Sequence, residues 1–404
     1  MTGQRILCLA GIPLLALGIY FSVRLAVADS YFREDTPESV AEAVRLDGGN
    51  AVYHDLLAEH LEGIGKDSVA ERAAAARLSP RETRYWIALA VDAEVKRNYP
   101  QAEKDLLEAA SVSRQFDPRW ALMNFYFRRG RMPEFRTWTR RALDISYDDL
   151  APIFRLCWLA SGDAGAIESV LPPGNKKIES KYLGFLLSTQ RLEAAPPIAR
   201  ELVERADAAD VPLLLGYCDA MLAKNARAGL DVWNALCRRK LEPYDALVPA
   251  TGSIITNGDF RLTPVEHGFD WRIPRVDGVF VTPRTGSDGL TFELSGEQPE
   301  DTVLLTEFVP VDGGREYRLN YEYRAPDEPE DSGLTWEAAA PDSDAVMARS
   351  AYLATTGDWN TGHLSFTPAA NGAVRLSLRY RRALGTVRHK GTIVLRRVAA
   401  EVAR

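Results

Sequence analysis

Apolar positions along this chain follow two different periods. From Thr36 to about residue 246 they recur three and four residues apart, as on helices with one buried face. From residue 251 onward they alternate with polar positions, as on strands with one face against a core. Ahead of both, Ile6 to Val23 is an apolar run of 18 residues without a charge. The pattern predicts an α + β multidomain chain. Its parts are an N-terminal transmembrane helix (residues 1–28), an α-solenoid of about six helical hairpins (36–246) and a C-terminal antiparallel β-sandwich of jelly-roll type (251–404).

At a rise of 1.5 Å per residue the apolar run reaches about 27 Å, close to the thickness of a bilayer core. Arg5 precedes it, and Arg24 can snorkel to the far interface. This charge placement predicts a cytoplasmic N-terminus, a single pass through the inner membrane, and a periplasmic or otherwise extracytoplasmic bulk. Ala26-Val27-Ala28 also fits the small-x-small pattern of a signal-peptide cut before Asp29. A retained anchor and a cleaved signal both place the rest of the chain outside.

Helix starts and stops recur in the first half. Thr36-Pro37-Glu38 reads as an N-cap with proline in the first turn. Second helices of successive pairs echo one another in Val69–Pro80, Tyr99–Ala110 and Met132–Leu143, and the first two lead on to a proline, Pro80 and Pro118. First helices carry Tyr53, Trp86 and Trp120, the last two 34 residues apart. Ile153–Leu159, Tyr182–Leu187 and Leu213–Leu222 continue the first-helix series, and Ala199–Val203 and Leu230–Leu236 the second. Residues 46–146 resemble three degenerate tetratricopeptide (TPR) repeats, although the Leu-Gly pair of that family's first helix is missing. The resemblance implies a groove for a protein partner, with Tyr53, Trp86, Trp120 and Trp158 packing between helices.

In the second half, strands are predicted at 278–282, 290–294, 303–309, 316–324, 362–367, 374–380 and 391–398, with turns such as Asp312-Gly313-Gly314 and Asn371-Gly372 between them. Five segments occur in a telling order. They are Asn257-Gly258-Asp259-Phe260, Phe269-Asp270-Trp271, the Val309–Tyr321 stretch with Gly314 and Tyr317, Trp359 before Phe366-Thr367, and Gly391–Val398. Together they are similar to carbohydrate-binding modules of the galactose-binding-like jelly-roll family. That family ends its last strand with acidic residues beside a structural calcium. Here Arg396-Arg397 stand there, so no metal and no cofactor is expected. The resemblance implies sugar contact through aromatic rings. Trp271, Trp336 and Tyr352, placed near expected loops, are the candidate carbohydrate-binding residues, while Trp359 is expected to pack.

Composition narrows the function classes. A net charge of −7 and a pI near 5.5 exclude a nucleic-acid partner, which needs a basic footprint. Charge is uneven in the second half. Residues 293–358 are mostly acidic, including Asp327-Glu328-Pro329-Glu330-Asp331, and 375–397 are basic. These are expected to be two solvated faces that soften each other; the alternative is a basic strip for an anionic glycan or lipid head group. Four cysteines without a CxxC spacing give no zinc or thioredoxin motif, and buried free thiols are expected. No nucleophile, zinc-protease, P-loop or dinucleotide motif is present. The expectation is a non-enzymatic, membrane-anchored scaffold. Its arm would bind a protein partner in cell-surface polysaccharide assembly or export, a likeness of architecture to accessory proteins of that process. The alternatives are a carbohydrate receptor acting through the sandwich, and a glycan-active enzyme.

Overall fold

The computed structural model describes residues 2–146, 149–162, 165, 167, 169–172, 174–283, 289–326, 333–354 and 356–403, with side chains from residue 13 onward. A helical N-terminal arm precedes two antiparallel sheets. Contacts divide the chain into two compact units, residues 1–173 and 174–404.

The first unit is helical. Its helices are α1 (Thr2–Glu34), α2 (Pro37–Leu46), α3 (Ala51–Gly63), α4 (Val69–Leu78), α5 (Thr83–Val95), α6 (Tyr99–Val112), α7 (Phe116–Arg128), α8 (Met132–Leu143) and α9 (Ala151–Ser161). They pack as α1/α2, α3/α4, α5/α6 and α7/α8. Local chemistry sets their ends. Thr36 Oγ1 accepts from Ser39 N (3.1 Å) and Ser39 Oγ from Thr36 N (3.0 Å), a capping box that starts α2. The side chains of Asn50 and Asn98 cap α3 and α6.

Charged side chains then tie pair to pair. Arg128 bonds Glu94 (2.6 Å), and Arg131 bonds Glu103 (2.6 Å) across from Tyr126, whose hydroxyl donates to the same Glu103 (2.8 Å). The Arg128-Arg129-Gly130-Arg131 turn is thus a structural clasp. The first-helix aromatics divide. Tyr53 is buried, whereas Trp86, Trp120 and Trp158 are half-buried, and Tyr85 fills the interior beside Trp86.

The second unit begins with α10 (Lys176–Ser188), α11 (Ala195–Glu204), α12 (Val211–Met221) and α13 (Ala226–Arg238). Its strands are β1 (Val279–Pro283), β2 (Leu290–Ser295), β3 (Asp301–Val311), β4 (Tyr317–Ala325), β5 (Leu334–Ala339), β6 (Val346–Arg349), β7 (Thr356–Phe366), β8 (Gly372–Arg381) and β9 (Lys390–Val402). One sheet runs β1-β2-β9-β4-β7 and the other β3-β8-β5-β6. Inward residues of both, among them Phe292, Leu319, Tyr321, Leu376 and Leu378, form one buried core. β5 and β6 were not predicted; the alanines of β5 hide its period.

The Asn257-Gly258-Asp259-Phe260 segment is a structural clip. Asn257 takes φ +47° and its amide holds Leu262 at both backbone groups (Nδ2 to O 2.7 Å, Oδ1 from N 3.1 Å). Gly258 O accepts from Val398 N at 2.7 Å, so β9 runs directly against it. A Cβ on Gly258 would stand 2.0 Å from Val398 O. Gly258→Ala should therefore cost about 1–3 kcal/mol, read as a lower denaturant midpoint at unchanged slope. An unchanged midpoint would show that β9 yields freely.

Helices and sandwich meet within this unit through aromatics and one carboxylate. Trp233 of α13 stacks on Tyr244 (5.8 Å) and meets Phe269 edge-on (6.1 Å). Asp219 of α12 accepts from Gly268 N (2.6 Å) and Arg272 (2.6 Å) and contacts His267 Nδ1 (2.5 Å). Cys157, Cys218 and Cys237 are buried free thiols, and burial pushes Cys157 and Cys237 up to about 12.

Candidate functional site

Side chains of β3, β8 and β5 point by turns to the two faces of their sheet, so one face is core and the other is a patterned surface. On β8, Leu376, Leu378 and Tyr380 point inward, leaving Arg375, Ser377, Arg379 and Arg381 on the outer face. On β5, Leu334, Trp336 and Ala338 point inward, leaving Glu337 and Ala339 outside. A bulge at Val303/Leu305 sets the register of β3 so that Thr306 and Phe308 join this outer face and Glu307 turns in. Residues 266–274 rise beside β3, held by a bridge from Arg272 to Thr306 (2.7 and 3.0 Å). The result is a groove of about 490 Å³ over the four-stranded sheet. Its size suits a small ligand or a short stretch of polymer.

The groove is dense in charge and balanced. Glu337, nearly buried, meets Arg349 at 2.7 Å, with Arg381 at 3.6 Å and Arg379 at 4.0 Å. Asp301 holds Arg379 (2.5 Å) and Arg381 (3.2 Å), and these bonds, Arg379's first, keep its carboxyl below the usual carboxylate range. Arg375 donates to Ser343 O (2.8 Å) and Asp344 (3.1 Å). Arg272 lies over the Phe308 ring at 4.6 Å while bonded to Asp219.

Outside the groove, Arg382 and Arg388 face Glu300 (3.1 and 3.9 Å), and Arg396 bonds Glu322. Six arginines of the basic stretch, Arg375, Arg379, Arg381, Arg382, Arg388 and Arg396, thus face carboxylates of the acidic stretch, which supports two charged sets that soften each other. The run Asp327–Asp331 lies outside the described residues.

The sequence-predicted sugar contacts lie elsewhere. Trp271 and Trp336 have no exposed surface and meet edge to face at 6.1 Å inside the core. Phe260 (5.3 Å) and Tyr321 (5.7 Å) complete this interior aromatic cluster. Neither indole presents a face to solvent: Trp336 lies on the inner side of β5, where a loop was expected, and Trp271 sits beside the Arg272–Thr306 bridge. Tyr352 is exposed, and it is not among the groove residues. Trp359 is half-buried beneath Arg396 (4.4 Å) and Arg324 (5.5 Å). Arg375 and Arg379 entered the sequence reading only as part of the basic stretch, and Ser377 and Glu337 were not singled out. The signal for Arg375, Ser377 and Arg379 was the polar half of the β8 alternation, and Glu337 of β5 carried none.

Two carboxyl groups lie inside rather than on the groove. Glu307 is fully buried; its Oε1 accepts from Thr256 N (2.7 Å), and its Oε2 has no hydrogen-bond partner among the described residues. Asp270, also without exposed surface, accepts at Oδ2 from Val265 N (2.6 Å) and Tyr244 Oη (2.9 Å). Burial drives both acids above the usual carboxylate range, Glu307 far above it.

The first unit carries its own groove, about 510 Å³, between α4, α5 and α6. Trp86, Leu89 and Ala93 give it an apolar wall and Gln101, Lys104 and Glu108 a polar rim. The Trp86 indole is fixed there by a bond from Nε1 to Pro80 O (2.9 Å).

No protein-family model matches the chain, and no curated protein matches it. Solved structures similar to it include TPR proteins and carbohydrate-binding modules. One described as "CBM4 structure and function" is 17% identical over 37% of this chain and 99% of its own, with a TM-score of 0.29. YrrB, a TPR protein with an unusual peptide-binding site, is 13% identical over 52% of this chain and 94% of its own, with a TM-score of 0.25. PilW, a type IV pilus biogenesis factor, is 13% identical over 55% of this chain and 94% of its own, also at 0.25.

Proposed function

We propose that this chain is a non-catalytic extracytoplasmic binding scaffold held at the membrane by α1. In it the sandwich (251–404) receives a neutral glycan, and the helical arm (36–246) seats a segment of a partner protein against Trp86 and Leu89. One observation carries the glycan reading: the groove over the four-stranded sheet presents fixed, charge-balanced donors and acceptors. A guanidinium has five N–H donors, and its paired carboxylate keeps free lone pairs. Braced side by side on a sheet, such pairs match the neighbouring hydroxyls of a sugar without needing a charge on it. On this reading the chain serves cell-surface polysaccharide assembly or export, joining a glycan to a membrane-bound partner.

Titration calorimetry of the full chain in detergent with neutral glucans, xylans, mannans and galactans tests it. At least one should bind, with an affinity almost unaffected by added salt, because no net ion pairing is lost. Arg375→Ala should weaken that binding about tenfold to a hundredfold, the worth of one hydrogen bond to a charged group. Its fold should survive, since the partner Asp344 is exposed. Binding restricted to acidic polysaccharides, or unaffected by Arg375→Ala, would remove the groove from the function.

A further inference from the structure

We infer that α1 is a permanent anchor whose last two turns are the first helix of the helical arm, so that no flexible linker separates bilayer from arm. This rests on the membrane attachment proposed above and leaves the glycan groove untouched. The helix runs unbroken from Thr2 to Glu34, 33 residues. At 1.5 Å per residue that is about 50 Å, whereas a bilayer core takes roughly 20 residues. About a dozen residues are left over.

The side chains show where the membrane part ends. Between Leu14 and Val27, nine large apolar residues are exposed, including the consecutive Ile19, Tyr20 and Phe21. Consecutive helical positions point about 100° apart, so this surface is apolar all round, as lipid requires and water does not. At Ala28 the surroundings change within one residue. Ala28 is 0% exposed and packs with Ala43 of α2 and Tyr53 of α3, joined by the half-buried Tyr31 and Phe32. The Phe32 and Tyr53 rings lie 4.8 Å apart.

The joint is braced further along. Arg33 bonds Asp29 (2.6 Å), His60 Nε2 contacts Asp35 (2.9 Å), and Asp35 turns the chain at φ +53° into the Thr36 capping box. No glycine or proline lies between Val27 and Glu34 to act as a hinge.

The Ala26-Val27-Ala28 segment therefore spans the seam between lipid-facing and packed helix. A cut after Ala28 would take a fully buried residue out of the α1–α2–α3 cluster. It would leave Asp29–Glu34, a stub too short to stay helical unaided.

The test uses the full chain, expressed in a bacterial membrane and extracted in detergent. Intact mass should be that of the whole 44.8 kDa chain. A mass that begins at Asp29 overturns the inference, while the glycan titration can still succeed or fail on its own. Limited proteolysis then probes the joint. Ala28→Glu, which drives a charge into the cluster, should speed cleavage in residues 28–36 about tenfold or more, as opening becomes easier. Ser30→Glu, on the exposed side of the same turn, should leave the rate unchanged. Equal rates for both variants, in a chain of full mass, would show a loose tether and overturn the rigid joint.

Discussion

Trp271→Ala is expected to destabilise the sandwich by about 3–5 kcal/mol, the usual cost of deleting a large buried aromatic. The indole has no exposed surface and touches Phe260 and Trp336, so its loss opens a cavity where the clip, β3 and β5 meet. Denaturant unfolding of the full chain followed by Trp fluorescence would measure it, with Tyr352→Ala as the exposed comparison. Tyr352→Ala should stay within about 0.5 kcal/mol of the parent. If Trp271→Ala kept its midpoint and yet lost glycan affinity, the ring would be a ligand platform after all.

Glu307→Gln should do the opposite and stabilise the protein near neutral pH. Burial raises the Glu307 carboxyl far above its unfolded value of about 4.3, so the folded state holds a proton that the unfolded state releases. The sign follows. Stability is greatest below the unfolded value and declines as pH rises through it toward the folded one, where the decline stops. Asp270, pushed up by its own burial, adds to the same trend. The Asp270 charge raises Glu307 further, while Arg272 and the hydrogen bonds from Tyr244 to Asp270 and from Thr256 to Glu307 offset some of the trend.

Glutamine keeps an oxygen for Thr256 N and carries no charge to desolvate. Thr256 Oγ1 and Asp270 Oδ1, both without a partner among the described residues, are acceptors in the same interior. The gain near pH 7–8 should be on the order of 1–3 kcal/mol, the cost of a buried polar group left unmatched. Thermal melts from pH 5 to 8 would show a falling Tm for the parent and a flatter line for the variant. A variant melting lower than the parent at pH 8 would refute this account.

Much of the fold was readable because it depends on local patterns. Thr36 announces a helix start through a side chain that satisfies its own backbone neighbours, and the structure adds Asn50 and Asn98 in the same role. Seven of the strands stand where alternation put them, since a sheet with one buried face must alternate. β5 escaped because Leu-Thr-Trp-Glu-Ala-Ala is buried on both faces, so alternation carries no polar beat there.

Trp271 and Trp336, expected near loops, lie in the core for a related reason. Tryptophan serves both as a sugar platform and as core filler, and sequence distance from a strand does not tell the two apart. At Trp271 and Trp336 the core claims the ring.

The sequence by itself determined the order of parts. It set an apolar helix, then helical pairs, then an alternating half with Asn257-Gly258 as its opening clip, because hydrophobic period and backbone preference act over a few residues. Only the tertiary structure decided where charge is spent and where function can sit. Arg379 and Asp301 are 78 residues apart in the chain yet bonded, and Glu337 is ringed by arginines from β6 and β8. Strand register brings them together, and register is set by the packing of whole sheets. For the same reason the end of α1 became part of the arm. Ala28 is an ordinary alanine in the sequence, and it is buried only because α2 and α3 fold back over it.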